Sequence, residues 1–350
     1  MNRVGRFFSI LFLGANLFCI LILWICCLST LLPPEKFPLF SLIGLAFPAI
    51  LLVNICFVFF WLIFKIRFTL FPIIGILLVG SYVLDYCPFN KTKEIPEHTL
   101  KVISFNTGYI EKDPELKRFT EYVQSQSPDI LCLQEFSQTW RRREEAKQAI
   151  SALGYTPIIH GHNYLLTRLP IISDTIHINM QSASNNNTIA CWLKYEEDSI
   201  LIVNNHLESN KLSDEDKAEY REMLKDPHRQ NVKDGSKHLL RKLGDAATYR
   251  GKQTDILCAL ADSLKGKSII MCGDLNDTPI SYTYQQLSRR LTSAFRQSGR
   301  GLGRSFNQSG FPVRIDHIFI SDDWQTYHTY IDTEMDISDH YPLVTHIQKK

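Results

Sequence analysis

Eight polar side chains stand at or near the ends of apolar, strand-like runs. They are Asn106 after KVISF, Glu135 after DILCLQ, His206 after LIVNN, Asp274 and Asn276 in GDLN, Asp316 in RIDHIF, and Asp339 and His340 in SDHYP. Strands end in loops, and loops at the end of a sheet carry function. The set comprises three acids suited to an oxygen-ligand site, two amides, two histidines and one orienting acid. Carboxylate and amide oxygens suit a hard cation such as Mg²⁺, which takes oxygen ligands and keeps several waters. Histidines transfer protons or stabilise a charged transition state. An aspartate paired with an imidazole fixes its tautomer and raises its basicity.

The runs that must position these residues are themselves legible. LKVISF (100–105), DILCLQ (129–134), KSIIMCGD (267–274), VRIDHIFI (313–320) and PLVTHI (342–347) are expected as core strands. Thr188–Tyr195 and Ser199–Asn205 are expected to form a hairpin. Pro114–Gln126 and Arg141–Leu153 read as helices, the second closed by Gly154. Residues 213–264 are largely helical in composition. Many strands with interspersed helices predict an α/β domain over residues 99–350, preceded by a polar linker at 85–98.

Before the linker lies a different composition. Three apolar runs cover about 7–32, 39–64 and 68–84. The first two are long enough to cross a hydrocarbon core of about 30 Å as helices, and the third is only just long enough. Residues 1–84 are therefore expected to be a membrane anchor of about three transmembrane helices. Arg3 and Arg6 precede the first run, and Lys65 and Arg67 separate the second from the third. By the positive-inside rule, both flanks face the cytoplasm. Three spans then place the rest of a multi-pass protein of the cell membrane outside the cytoplasm; if the third run does not span, that part falls on the cytoplasmic side.

The motifs Asn106, QE at 134–135, NHL at 205–207, GDLN at 273–276, RIDHI at 314–318 and SDH at 338–340 occur in this order over about 100–347. In this the chain resembles the endonuclease/exonuclease/phosphatase (DNase I-like) family. The resemblance implies a four-layer α/β sandwich, with two central mixed β-sheets flanked by helices and the site at one end of them. It also implies a phosphoester hydrolase that uses Mg²⁺, with Mn²⁺ as a substitute, and in-line attack of water on phosphorus. Glu135 is then the primary metal ligand, with Asn106 beside it and Asp339 as a second ligand, direct or through water. Asp274 orients or deprotonates the water, Asn276 donates to a phosphate oxygen or that water, and His340 contacts the phosphate. Asp316 matches the orienting partner of His340. His206 matches a second active-site histidine of DNase I-like and sphingomyelinase-like members, where abasic-site nucleases usually carry tyrosine. Many family nucleases have an acid shortly after the first asparagine. Here the sequence is Asn106–Thr107–Gly108, which favours one metal over two.

Substrate selectivity is less legible. Net charge is +2 over the whole chain. The part after residue 84 has 33 basic and 35 acidic residues, without the basic excess of a nucleic-acid binder. The segment 207–252 is expected to overhang the site, with Lys233, Lys237, His238, Arg241, Lys242 and Arg250 as candidate anion contacts. Arg289, Arg290, Arg296, Arg300 and Arg304 form a second basic cluster. Nine scattered cysteines show no CxxC spacing, so no zinc site is expected. His317, His160, His162, His177 and His228 are assigned structural or surface roles. Three readings stand. The first is a hydrolase acting on a lipid headgroup or another membrane-proximal phosphoester. The second is a tethered nuclease degrading extracytoplasmic nucleic acid, and the third a non-catalytic membrane scaffold. The bilayer is a partner through the N-terminal helices, and no obligate protein partner is inferred.

Overall fold

Strand β1 (Leu100–Asn106) reads LKVISFN and is buried along almost its whole length, the mark of a strand covered on both faces. Strand β2 (Ile130–Gln134) is fully buried and runs parallel to it, with Asn106 opposite Gln134. Around this pair a six-stranded mixed sheet forms in the order β11-β12-β1-β2-β4-β3. Its other strands are β3 (Thr156–His160), β4 (Asn163–Thr167), β11 (Trp324–Ile331) and β12 (Leu343–Lys349). The second sheet repeats the plan around a parallel pair, β7 (Asp198–His206) and β8 (Ser268–Asp274), with His206 opposite Asp274. Its order is β5-β6-β7-β8-β10-β9, completed by β5 (Ile176–Ile178), β6 (Thr188–Tyr195), β9 (Thr292–Ser293) and β10 (Asp316–Ile320). These statements come from a computed structural model that describes residues 3–137, 139–182, 187–213, 215–216, 218, 232–307 and 313–350.

Three apolar layers stack the molecule. Val102, Ile130 and Cys132 meet Ile202, Ile270 and Cys272 between the sheets. On the outer face of the first sheet, Phe105 and Leu133 pack on α6 (Asp113–Gln126) and α7 (Trp140–Ala152) through Phe119, Val123 and Ile150. On the outer face of the second, Leu201, Val203 and Met271 pack on α8 (Val232–Ser263) and α9 (Tyr282–Ser288) through Leu257, Cys258 and Leu287. The result is the expected four-layer α/β sandwich. The hairpin β6–β7 and helices α6 and α7 lie where the sequence places them. Strands β3, β4, β5, β9 and β11 are additions. Helix α8 occupies the later part of the helical stretch expected from 213, while 214, 217 and 219–231 lie outside the described residues.

The N-terminal segment has two helices long and apolar enough to cross a membrane, spanning Gly5–Leu31 and Pro38–Phe64. The first contains α1 (Arg3–Leu28); the second contains α2 (Pro38–Ser41) and α3 (Phe47–Phe64). The third apolar run is bent. Ile66–Leu77 and Gly80–Tyr86 meet at 65°, the geometry of a broken span or of a re-entrant loop. They contain α4 (Leu70–Leu77) and α5 (Gly80–Tyr86). Polar groups here bond across the helices. Trp61 Nε1 donates to Asn16 Oδ1 at 3.1 Å, and Trp24 Nε1 donates to Gly75 O at 3.1 Å.

This segment is packed onto the sandwich. The loop between the first two helices lies along α8: Thr248 Oγ1 donates to Pro34 O at 3.3 Å and Lys252 pairs with Glu35 at 3.5 Å. Ile280 joins Leu23, Cys26, Phe47 and Val79 in one buried cluster. From α5, Asp85 accepts from Gln285 Nε2 at 2.9 Å and from Arg296 Nη1 at 2.5 Å. The buried Arg314 donates to the carbonyls of Asp85 and Tyr86 and stacks 4.1 Å from the Phe295 ring. Asn90 Nδ2 donates to the carbonyls of Arg296 and Gly299, both at 2.8 Å.

Candidate active site

The parallel pairs β1–β2 and β7–β8 bring four strand ends to one edge of the sandwich. Asn106 closes β1 and Glu135 follows β2, while His206 and Asp274 close β7 and β8. Strand β10 runs antiparallel to β8 and begins with Asp316 directly opposite Asp274. The approach to β12 supplies Asp339 and His340, and Asp339 Oδ1 lies beside Gly108, two residues beyond Asn106. Every sequence-predicted site residue therefore reaches the same edge.

Local backbone geometry aims them. Glu135 and Asn276 have φ of 49° and 51°, in the left-handed region that non-glycine residues seldom adopt. Tyr109 N donates to Glu135 O at 2.6 Å and Thr107 Oγ1 does so at 2.9 Å, holding that turn in place. Gly273, immediately before Asp274, has φ of 143°, and a Cβ there would lie 1.9 Å from Asn205 O. We expect Gly273→Ala to cost about 3 kcal/mol and to displace Asp274. Thermal unfolding together with kcat checks this; an unchanged melting temperature would contradict the close approach.

Asp274 is the hub. It accepts from Asn106 Nδ2 at 3.0 Å, from Asn276 N at 2.7 Å and from Asn276 Nδ2 at 3.3 Å. His340 Nε2 stands 3.8 Å from it and His206 Nε2 4.0 Å. His340 Nδ1 pairs with Asp316 Oδ2 at 2.9 Å, and Ser305 Oγ accepts from Asp316 N at 3.1 Å. His206 Nε2 is 3.3 Å from Glu135 Oε1 without hydrogen-bond geometry. Burial and the neighbouring Asp316 push Asp274 up to about 6, against the pull of His340 and His206. Burial opposes a charge on His340, yet Asp316 and Asp274 outweigh it and push that imidazole up to about 10. Burial raises Glu135, which His340 and the Asn106 hydrogen bond counteract, and burial lowers His206. The edge thus pairs a neutral imidazole and a cationic one with a cluster of carboxylates.

The donor set fits a hard divalent cation. Glu135, a quarter open to solvent, sits beside the Asn106 amide and near Asp339. Oxygen atoms of Asp274 and Asp316 and a ring nitrogen of His340 lie within 4.8 Å of one another, and Asp316 Oδ1 has no hydrogen-bond partner. Asp316 and His340 already bond to each other, so the Glu135 side is the more open place for an ion.

Several contributors have supporting roles that the sequence does not indicate. Gln134 Nε2 donates to Asn204 Oδ1 at 2.6 Å across the sheets. Arg250, on α8, is buried. It donates to Glu208 O at 3.0 Å and Asn210 Oδ1 at 2.9 Å and faces Asp277 at 3.5 Å, bracing the loops after His206 and Asn276. It is a brace, not the exposed anion contact expected. Lys242 and His238 face Asp216, Arg290 grips Asp262, and Arg296 holds Asp85, so several members of each basic cluster are engaged with acids. The side chains of Arg141–Arg143 and Lys233 lie outside the described residues.

His317 has the structural part assigned to it: its Nε2 bonds Asp277 O at 3.0 Å and its ring meets Tyr284. Burial, with Arg314 nearby, pushes its pKa down from 6.5 to about 3. Between those values only the unfolded chain readily binds the proton. Stability present above pH 6.5 is therefore lost progressively as pH falls towards 3. We expect His317→Gln to flatten that slope, measured by denaturant unfolding at pH 7.5 and 5; an identical slope would contradict the assignment.

Comparison with known proteins agrees with this architecture. The sequence profile of the endonuclease/exonuclease/phosphatase family matches residues 103–340. A domain of unknown function matches residues 9–86. No curated protein matches the sequence. Among solved structures, the mannosyl-6-phosphatase of Bacteroides thetaiotaomicron VPI-5482 superposes with a TM-score of 0.52 at 16% identity, covering 71% of this chain and 99% of that one. The human Nocturnin catalytic domain, solved with bound sulfate, gives 0.51 at 18%, covering 73% and 97%. TDP2 of D. rerio, solved with a single-strand DNA product, gives 0.51 at 14%, covering 72% and 100%. By fold, strand-end residues and profile, this chain belongs to the endonuclease/exonuclease/phosphatase family of hydrolases that act on phosphoester bonds.

Proposed function

We propose that the chain is a membrane-anchored, Mg²⁺-dependent hydrolase of a membrane-proximal phosphoester. The observation that carries the reading is the division of the site edge. Glu135, Asn106 and Asp339 offer oxygens on one side, and the Asp274–His340–Asp316 cluster faces them. A divalent cation held by the first group, with Mn²⁺ as a substitute for Mg²⁺, would polarise the phosphoryl group and neutralise the leaving oxygen. Asp274, with its pKa near 6, is suited to orient a water and accept its proton. Asn276 donates its backbone N–H to Asp274 and its amide to Asp274 and to Leu207 O, so in this geometry it holds the carboxylate that orients the water; reaching a phosphate oxygen would require the amide to exchange one of these bonds. His340, protonated and held by Asp316, places positive charge where the transition state gains negative charge. His206, neutral and buried, completes the wall beside Glu135 as a hydrogen-bond donor to substrate.

In this reading residues 1–84 anchor the chain, 85–98 join it to the enzyme, and 99–350 are catalytic. The loop at Pro34–Glu35 packs on α8, so that loop and the catalytic domain share one side of the bilayer. The chain leaves that loop through Pro38–Phe64 and must return through Ile66–Tyr86, which supports three crossings. With Arg3, Arg6, Lys65 and Arg67 inside, the catalytic domain is extracytoplasmic.

The test uses the full chain in detergent micelles, beside Glu135→Gln and His340→Ala, with Mg²⁺, Mn²⁺ or EDTA. The substrates are bis-p-nitrophenyl phosphate, phospholipid headgroup esters and single-stranded DNA. Expected is metal-dependent release from headgroup or small esters that falls by about 10² or more in each variant. Cleavage of DNA alone would replace this reading with the tethered nuclease. Turnover unaffected by EDTA and by both substitutions would sink the mechanism.

A further inference from the structure

Helix α8 shows two opposed faces. Arg250, Gln253, Thr254 and Leu257 are buried against the sandwich. On the other side, Lys237, Leu240, Arg241, Gly244, Thr248 and Gly251 recur at spacings of three and four and form one stripe. The membrane segment already covers part of that stripe. A Cβ on Gly251 would lie 3.1 Å from Pro34, one on Gly244 would lie 3.4 Å from Pro38, and Thr248 donates to Pro34 O.

The direction of these contacts orients the helix. Pro34 follows the end of the first membrane-length helix, and Pro38 begins the second. The line from one to the other therefore runs within the plane of the membrane surface. Along it, α8 is contacted first at Gly251 and then at Gly244, about 10 Å further on at 1.5 Å per residue. In the membrane-anchored reading, α8 then runs alongside the membrane surface. Its stripe continues past Pro38 as Leu240, 46% exposed, flanked by exposed Lys237 and Arg241, with Asp245 4.0 Å from Arg241. Leu39, also exposed, would lie 3.9 Å from a Cβ on Gly244, and exposed Phe40 follows it at the start of the second helix.

We propose that the Lys237–Leu240–Arg241 face of α8 docks on the anionic headgroup layer of the bilayer that holds the anchor. Leu240 enters the interface beside Leu39 and Phe40, and the two cations meet lipid phosphates, as basic residues next to an inserted segment do. The proposal rests on the membrane-anchored reading above. It makes α8 a rail on the membrane surface, and through Arg250 that rail is joined to the loops after His206 and Asn276. The substrate class that follows is a phosphoester displayed at the lipid surface.

Photo-crosslinking of the full chain tests it. A benzoylphenylalanine is placed singly at Leu240, at Phe18 within the first membrane-length helix, or at Tyr249, one residue and about 100° round the helix from Thr248. The protein is reconstituted in phosphatidylcholine with or without phosphatidylglycerol, and adducts are identified by mass spectrometry. Expected are lipid adducts at positions 18 and 240, with at least about ten-fold less at 249. Lys237→Glu with Arg241→Glu is expected to reduce the adduct at 240 several-fold in the anionic bilayer. Lipid at 18 but none at 240 overturns the docking and leaves the anchor standing. An adduct at 240 to a second protein chain overturns it as well. No lipid at 18 removes the anchor and the docking together.

Discussion

Replacing Asp274 by asparagine is expected to lower kcat by about 10³-fold or more while leaving the protein as stable as before, or more stable. Two opposed effects meet at this carboxylate. It accepts three hydrogen bonds from Asn106 and Asn276, and it lies within 4 Å of both active-site imidazoles. An asparagine keeps the size but turns half the group into a donor, so it cannot accept a proton from water. Yet burial and Asp316 already push the acid towards its neutral form. Removing the charge relieves that repulsion, the trade expected where an active site is held at some cost to the fold. Steady-state kinetics and thermal unfolding on the same sample separate the two. A variant retaining a tenth of wild-type kcat would show that Asp274 is not the group that handles the water. Large unfolding would show that its role is structural.

Asp85→Ala is expected to destabilise the full chain by about 3 kcal/mol, read as unfolding in micelles. Asp85 is nearly buried and takes bonds from Gln285 and Arg296, while its carbonyl receives the buried Arg314. Loss of the carboxylate removes the acid paired with Arg296, which is left with its bond to Ser81 O in the seam. Because Arg296 is itself a third open to solvent, the effect falls at the lower end of the range for a broken buried pair. Arg314 is two residues from Asp316, so the loosened seam should also slow turnover. Wild-type unfolding for Asp85→Ala would mean that the N-terminal segment adds nothing to the stability of the catalytic sandwich through this contact. A chain starting at residue 97 removes Asp85, Tyr86 and Asn90 together and is expected to fare worse still.

The site was legible because its residues terminate strongly apolar strands, where burial makes a polar residue stand out. Asn106, Glu135, His206 and Asp274 were readable from the end of each run without knowing which runs are neighbours. Asp316 was readable from its place at the head of HIFI. The supporting residues were not. Arg250 lies in a helix crowded with Lys and Arg, and only the long-range packing of α8 separates it from its solvated neighbours. Asp85 and Arg314 meet across more than two hundred residues, a pairing that no local pattern encodes. Strands β3 and β11 carry polar residues on a half-exposed face, which blurs their pattern, whereas β4 is buried throughout but reads NYLLT, with only three apolar residues in a row. The bend in the third apolar run falls at Leu78–Val79, where composition alone reads as one helix.

The two halves of the site belong to different sheets: Asn106 and Glu135 end one, His206 and Asp274 the other. The gap across which they cooperate is therefore the thickness of the filling between the sheets, set by Val102, Cys132, Ile202 and Cys272 and pinned near the edge by the Gln134–Asn204 bond. A methylene added to or removed from that filling acts as a shim. It would change the reach between the two halves without touching any of the eight residues that line the edge, so the enzyme's working distance is a property of its interior.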